Sequence, residues 1–400
     1  LQCYVSSDGI RFRPCGYLMR EGLFDSLNIA FWHAPSGEYR LYFRSGHSNL
    51  NDRNRNVWLR DVRYATSKDF RTWTAPRLIE FGADAPDYAL YTNVMQPYLR
   101  APHLYVGFPT RYVERDAWTA NYDRLPSPDA RRRRMDKKNG GVPRYGLVTT
   151  DNVFMMTRDG LHFQRDDEAF LRPGPEHPDN WIYGDGYPAP GFVLSPGRFG
   201  GDDELSMFYS ASGCITPTSK RCLRRYTIRQ DGFVSRHATY AEQKVVTREM
   251  VFRGSKMIVN FSTSARGYLY ITIRDRNGSE MKSVELFGDK VDREVDFEYG
   301  LSPQLFANRP VTVEFRMSDA DVWSFRFAGE MKPELPKSWR LDFLSETPTC
   351  HDCSFADSRV PGMKALMVDG YGPGGTATEF FCYYAVPDGA RPANAAAAAL

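Results

Sequence analysis

Helical periodicity is nearly absent between residues 1 and 330, which removes bundles and helical repeats from consideration. No signal peptide and no apolar run of membrane-spanning length occurs, so no membrane partner is expected. No Gly-rich phosphate loop and no nucleophile elbow is present, which argues against nucleotide-driven chemistry and against a serine hydrolase. The 7 histidines form no ligand-spaced pair, and only His177 stands close to other candidates. Charge of one sign is also scarce: 52 Lys and Arg against 49 Asp and Glu leave a formal +3, weak ground for a polyanion partner. The one dense basic run, Arg131–Arg134 with Lys137 and Lys138, lies in a Pro/Gly-bounded polar stretch and reads as a solvated loop. Without an aromatic-basic motif beside it, no nucleic-acid partner is expected.

Cysteine is sparse and odd in number. Of the 7, at least one has no partner within the chain. Cys214 and Cys222 are spaced to close a hairpin, and Cys350-His-Asp-Cys353 has metal or redox spacing without a second pair to complete a zinc site. The compartment stays open, with secretion or a periplasmic location slightly favoured. No organic cofactor and no catalytic metal is implied. A structural calcium or sodium ion near an axis is compatible with the composition, although no contiguous acidic loop demands it.

Turns and aromatics are plentiful. The chain of 400 residues holds 32 glycines, 26 prolines and 14% aromatic residues. One phrase recurs: YVSSDGIRF at Tyr4–Phe12, YATSKDFRTW at Tyr64–Trp73, FMMTRDGLHF at Phe154–Phe163 and YTIRQDGFV at Tyr226–Val234. Each copy is a strand, a polar turn about an Asp, then another strand. A hairpin repeated at wide spacing predicts antiparallel units, each of about four strands, buried against one another in a radial array. The chain opens inside such a unit, so part of the first blades is expected upstream of Leu1. After about residue 240 the strands tighten, in SKMIVNFST, GYLYITIRD, REVDFEY, PVTVEFRMS and DVWSFRFAG. The expected organisation is a propeller over 1–240, a β-sandwich over 241–331 and a partly irregular extension over 332–400.

The phrases FDSLNIAFW, GEYRLYFR, SKDFRTW, LYTN, GFPTR, TTDNVFMMTRDGLHF, NWIYGDGY and LRRYTIRQDGFVS together resemble glycosidase-like proteins related to the five-bladed β-propeller glycoside hydrolases of families 32, 43 and 68. The later DADVWSFRF is similar to the last strands of the sandwich that follows the propeller in many such proteins. The resemblance covers about residues 1–330 and implies an all-β chain, a five-bladed propeller followed by a β-sandwich. It implies carboxylates near the axis, at or just after the innermost strands. The family's Arg-Asp-Pro and Glu-Cys phrases do not occur here, so no role is carried over by position.

Glycoside hydrolysis needs one carboxyl group to protonate the leaving oxygen and a second to attack, or to activate water, across the ring. Three acids are the catalytic candidates. Asp25 opens a unit in Phe24-Asp25-Ser26-Leu27-Asn28, or else caps a turn there. Asp185 lies between glycines and aromatics in Trp181–Tyr187, or else simply forms a Gly-Asp-Gly turn. Glu204 starts the strand ELSMFY as a candidate general acid, or belongs to a solvated acidic loop with Asp202 and Asp203.

The substrate-binding candidates are Asn28 and Trp32 along the Asp25 strand, Asn93 in the equivalent slot of the next unit, Arg60, Arg111, Asp151 as a reserve carboxylate, and Trp181 and Tyr187 as stacking platforms. Arg60 and Asp61 in WLRDVRYA resemble the stabiliser phrase with Val62 in place of its proline, and read otherwise as a structural ion pair. An arginine such as Arg111 on the ligand would favour an anionic sugar. The expected activity is therefore glycoside hydrolysis by carboxylate acid/base catalysis on an oligosaccharide or polysaccharide in the axial funnel. A non-catalytic carbohydrate-binding propeller is the alternative. Oligomeric state is not legible.

Overall fold

Strands alternating with Asp-centred turns build the first part of the chain. The computed structural model describes residues 1–48, 58–139, 141–211 and 222–331, together with the strands Cys353–Asp357, Lys364–Tyr371 and Ala377–Tyr384. The chain divides into two compact units, Leu1–Gln230 and Asp231–Leu400. Both are all-β in their main framework.

The first unit begins with a hairpin, β1 (Gln2–Val5) and β2 (Arg13–Tyr17). Three antiparallel meanders follow in chain order. The first is β3 (Ile29–His33), β4 (Glu38–Ser48), β5 (Trp58–Ser67) and β6 (Arg77–Leu78). The second runs β7 (Gln96–Tyr98), β8 (Ala101–Gly107), β10 (Val148–Thr157) and β11 (Gln164–Leu171), with β9 (Thr110–Glu114) also paired to β10. In the third, β12 (Tyr187–Pro188) and β13 (Val193–Ser195) both pair with β14 (Glu204–Ala211), whose other edge carries β15 (Cys222–Arg229). Tyr42, Val62, Met95, Tyr105, Val153 and Met155 form the buried core between the first and second meanders.

The recurring phrase is a specific turn in three of its four copies; in the fourth the left-handed residue is Asp231 itself, at φ 60°. Asp8 Oδ1 accepts the N–H groups of Ile10 and Arg11 at 2.9 and 2.8 Å. Asp69 Oδ1 does the same for Arg71 and Thr72 at 2.8 and 2.7 Å, and Asp159 Oδ1 for Leu161 and His162 at 2.8 and 2.9 Å. A hydroxyl two residues earlier (Ser6, Ser67 or Thr157) accepts a backbone N–H inside each turn. The residue after the Asp is left-handed in all three, at φ 72° for Gly9, 61° for Phe70 and 88° for Gly160. Gly160 is doubly constrained. A Cβ there would lie 2.2 Å from Arg40 Nη1 and 2.8 Å from Tyr42 Oη. Those two side chains donate to Asp159 O at 2.6 Å and Gly160 O at 2.7 Å, so the turn of the second meander docks on the first through its own backbone.

The Thr72 and Arg71 N–H groups, with Ser67, hold the Asp69 carboxyl down to about 2. A folded value below the ordinary one contributes stability that is whole above about pH 4 and is lost as pH falls toward about 2. Asp69→Asn is expected to lower the melting temperature by a few degrees at pH 7. That deficit should shrink between about pH 4 and pH 2 as the native carboxylate protonates, which melts across the range would measure.

The basic run corrects the sequence expectation. It is helix α2 (Pro128–Met135), flanked by α1 (Ala120–Arg124) and α3 (Arg144–Leu147), not a solvated loop. Proline at the first helical position and four arginines in succession favour the helix. Arg131 is buried to 1% exposure because the carbonyls of Trp181, Asn180 and Pro126 accept its donors at 2.6, 2.8 and 3.3 Å. Arg132 lies 4.9 Å from the Trp118 ring centre and pairs with Asp123.

In the second unit β18 (Lys256–Asp275) and β21 (Val311–Ala328) pair along almost their whole length. β16 (Arg236–Ala238) and β17 (Gln243–Val246) flank β21, and β19 (Glu280–Lys282) and β20 (Asp289–Glu294) flank β18. The sequence reads SKMIVNFST and GYLYITIRD as two strands. They are one, interrupted by a register shift between Thr263 and Tyr268. Ser264 Oγ accepts the Gly267 N–H there at 2.9 Å, which satisfies the bulge without ending the ladder. Residues before and after the bulge, Met257, Val259 and Phe261 with Leu269, Ile271 and Ile273, share one core. Farther on, β22 (Cys353–Asp357), β23 (Lys364–Tyr371) and β24 (Ala377–Tyr384) form a separate antiparallel sheet. Cys214 and Cys350, on which the expected cysteine pairings depend, lie outside the described residues. Among the described residues no helix is long and apolar enough to cross a membrane.

Candidate functional site

Each meander enters its first strand through a short irregular segment, and the three segments meet. Asp25 precedes β3, Tyr91–Asn93 precede β7, and Asp185 precedes β12. Ser26 Oγ donates to Tyr91 O at 2.9 Å, and Asn93 Nδ2 donates to Leu27 O at 3.0 Å. Tyr183 Oη donates to Tyr91 Oη at 2.8 Å, and the rings of Tyr91 and Tyr187 stack 5.6 Å apart at 4°. Equivalent strand starts from three sheets therefore form one rim.

Two carboxylate residues line a single cavity on this rim. Asp151 and Asp185 border it with Asn152, Tyr209, Arg224 and Tyr226. Asp185 is buried, and its carbonyl accepts Thr150 Oγ1 at 2.6 Å. Gly184 and Gly186, at φ 84° and 72°, give the chain the left-handed backbone that sets Asp185 between them. Asp151 faces Arg111 directly across the β9–β10 ladder, and the pair is bidentate, at 2.8 Å to Arg111 Nε and 2.6 Å to Nη2. The Asp151 contact holds the Arg111 pKa above its ordinary value. The Tyr209 hydroxyl is buried with no hydrogen-bond partner among the described residues, and burial pushes its pKa up. Asp25, whose side chain is 67% exposed, is ion-paired to Arg44.

Tyrosines and arginines make up the rest of the rim. Arg44 and Arg60 place their guanidinium carbons 5.1 and 5.2 Å from the centre of the Tyr91 ring, and Arg60 lies 4.4 Å from that of Tyr112. Tyr183 stands edge-on to both Tyr91 and Tyr112, and Tyr145 stacks on Tyr183 with Arg144 over its own face.

Of the residues singled out from sequence, the structure brings together Asp25, Arg60, Asn93, Arg111, Asp151, Asp185 and Tyr187. It does not bring Glu204 to them. Glu204 is the first residue of β14, opposite Ser195 and Arg229, whereas Tyr187 pairs with Ser210 near the strand's other end. At ~3.3 Å per residue that separates Glu204 from the rim by roughly 20 Å. Trp32 is likewise displaced. It pairs with Tyr39 at the far end of β3 and packs edge-on to that ring at 4.8 Å. Trp181 packs against the helical insertion, and its indole N–H donates to Gly174 O at 2.9 Å. Asn28 Nδ2 donates to the Phe24 and Ser26 carbonyls, and Asn93 is buried and tied to Leu27, so both brace the entry segments.

Arg60 and Asp61 are not an ion pair. Neighbours on a strand face opposite sides, and Asp61 instead binds Arg63 at 2.8 Å and His47 at 3.0 Å. His47 also reaches Asp87 at 3.2 Å, and hydrogen bonding to Asp61 raises its pKa against the opposing effect of burial. Among the described residues no group of three or more His, Cys, Asp or Glu is placed to hold a metal ion.

Sequence reading overlooked Arg44, Tyr112, Arg144, Tyr145, Tyr183 and Tyr209 as site residues. Their available signal was position: Arg44 lies near the β4 end that meets the Asp25 segment, and Tyr183 lies two residues before Asp185.

No protein-family model matches the chain, and no curated protein matches it in sequence. Solved structures do. An N-acetylgalactosamine deacetylase from F. plautii, in complex with blood group B trisaccharide, matches over 52% of this chain and 50% of its own, at 15% identity and a TM-score of 0.29. A family 43 arabinoxylan arabinofuranohydrolase from Bacillus subtilis, in complex with cellotetraose, matches over 75% and 66%, at 11% identity and 0.28. A family 32 β-fructofuranosidase from Bombyx mori matches over 75% and 90%, at 8% identity and 0.21. The chain thus spans half the length of the first and just under two thirds of the second. Two of the three are glycoside hydrolases of families 43 and 32. No side-chain role passes across these matches.

Proposed function

We propose that the first unit is a propeller-type glycoside hydrolase domain, with its three meanders as blades and the β1–β2 hairpin as part of another. The observation that carries this reading is the meeting of three strand-entry segments, with Asp151 and Asp185 lining one cavity and Asp25 on the same rim. Acid/base hydrolysis of a glycosidic bond needs two carboxyl groups on opposite sides of the scissile bond, held by different elements. In this reading Asp185, buried and fixed through Thr150, is the proton donor to the leaving oxygen. Asp151, held through both oxygens by Arg111, is the charged partner. Asp25 and Arg44 border the sugar from the first meander. Tyr187, next in the chain to the cavity-lining Gly186, stacks on Tyr91.

The second reading, carbohydrate binding without hydrolysis, is favoured by one feature: Asp25 and Asp151 are already engaged by arginines. A panel of aryl glycosides and natural oligosaccharides, assayed for released sugar and for binding, separates the two. Hydrolysis that Asp185→Asn abolishes supports the enzyme, and binding without turnover supports the binder. A chain that neither binds nor cleaves any glycan has neither function.

A further inference from the structure

Two arginines of the rim, Arg60 and Arg144, stand outside its ion pairs, whereas Arg44 and Arg111 are paired with Asp25 and Asp151. Arg44 and Arg60 stand over the same Tyr91 ring, which places their guanidinium carbons within about 10 Å of each other. Asp25 takes up Arg44. Among the described residues no carboxylate pairs with Arg60 or Arg144, and the Nε of each is buried without a hydrogen-bond partner. Arg60 lies over the Tyr112 ring and Arg144 over the Tyr145 ring, which reaches Tyr112 through Tyr183, and the Tyr112 hydroxyl donates to Glu114 at 3.3 Å. The other rim arginine, Arg111, is already consumed by Asp151. Arg60 is held on tyrosine faces, 4.4 Å from one ring centre and 5.2 Å from another. A guanidinium held that way keeps edge N–H donors that fit a planar or tetrahedral oxyanion far better than a sugar hydroxyl.

We infer that the rim selects an acidic glycan, with its anionic substituent set against Arg60 and Arg144 beside the Tyr91, Tyr112 and Tyr183 rings. This deepens the glycan-active reading above and rests on it. The chemistry required is an oxyanion on a sugar ring, which either a uronate carboxylate or a sulfate ester supplies. A neutral ring would leave the Arg60 and Arg144 guanidinium groups without an anionic partner in a partly desolvated site, where salt screens an ion pair less than it does on the open surface.

The test is titration calorimetry of the whole chain against two pairs, galacturonate oligosaccharides and their methyl esters and sulfated galactan oligosaccharides and their desulfated forms, with neutral xylo- and cello-oligosaccharides as a further set. At least tenfold tighter binding of one charged member than of its uncharged twin is expected, weakening as salt is raised from about 50 to 500 mM. Which pair shows the difference identifies carboxylate or sulfate. Arg60→Gln and Arg144→Gln should each remove about tenfold of that preference while leaving the melting temperature in place. Equal binding of charged and uncharged twins overturns the inference and leaves the glycan reading standing, as does tighter binding of the neutral sugars. Absence of binding to every glycan overturns both.

Discussion

Arg131→Ala is expected to destabilise the first unit by about 3–5 kcal/mol, the cost of leaving the carbonyls it satisfies without their donors. The side chain is almost wholly buried and donates to three carbonyls, those of Trp181, Asn180 and Pro126. Burial, reinforced by nearby Arg134, pushes its pKa down to about 10, which leaves it charged at neutral pH. Alanine removes the donors and strands the carbonyls, at about 1–3 kcal/mol for each buried group left unsatisfied. The segment that loses its anchor is already strained, because Trp181 is left-handed at φ 56° without being glycine. It leads directly to Asp185. Stability and glycan activity should therefore fall together, with a melting temperature lower by roughly 6–20 °C for a unit of this size. Arg131→Lys should recover only part of the loss, since one ammonium cannot span carbonyls from two segments. Differential scanning calorimetry of the three proteins measures this. A loss below about 1 kcal/mol would mean the helical insertion does not hold the Asp185 segment.

Much of this arrangement is legible in sequence, and the rest fails for identifiable reasons. The Asp-centred turns are local: each needs one carboxylate, one hydroxyl and one left-handed residue within five positions, so they show directly as SSDG, SKDF and TRDG. The strand-entry segments of Asp25, Asn93 and Asp185 are legible because acid or amide stands where an alternating strand begins. What alternation does not give is which end of a strand points to the rim. Glu204 and Asp185 both flank strands of one sheet, yet β14 runs between them and carries Glu204 away. The same ambiguity misplaces Trp32, at the wrong end of β3. The Arg131–Arg134 run fails differently. Hydropathy treats arginine as a surface residue, whereas five N–H donors allow it to be buried wherever carbonyls from neighbouring loops converge. The pairing of Arg111 with Asp151 and of Asp61 with Arg63 is likewise a matter of register, fixed only once the strands are aligned.

Asp185→Asn is expected to reduce the proposed hydrolysis by about 10²–10⁴-fold in kcat, the usual worth of a positioned proton donor, with little change in KM. The replacement keeps the shape of the side chain. The features that fix its backbone, the flanking glycines at φ 84° and 72° and the Thr150 contact to its carbonyl, do not involve the carboxyl group. A melting temperature measured in parallel separates lost chemistry from lost structure. Glu204→Gln supplies the contrast. Glu204 sits roughly 20 Å along β14 from the rim by strand rise, so its removal should leave turnover within about twofold, less than 0.5 kcal/mol in the barrier. Parallel kinetics on the best substrate from the glycoside panel give both values. Activity that survives Asp185→Asn but collapses in Glu204→Gln would move the chemistry to the opposite end of the sheet. The shared cavity of Asp151 and Asp185 would then be a structural seam between meanders, with its buried carboxyl groups serving backbone contacts alone.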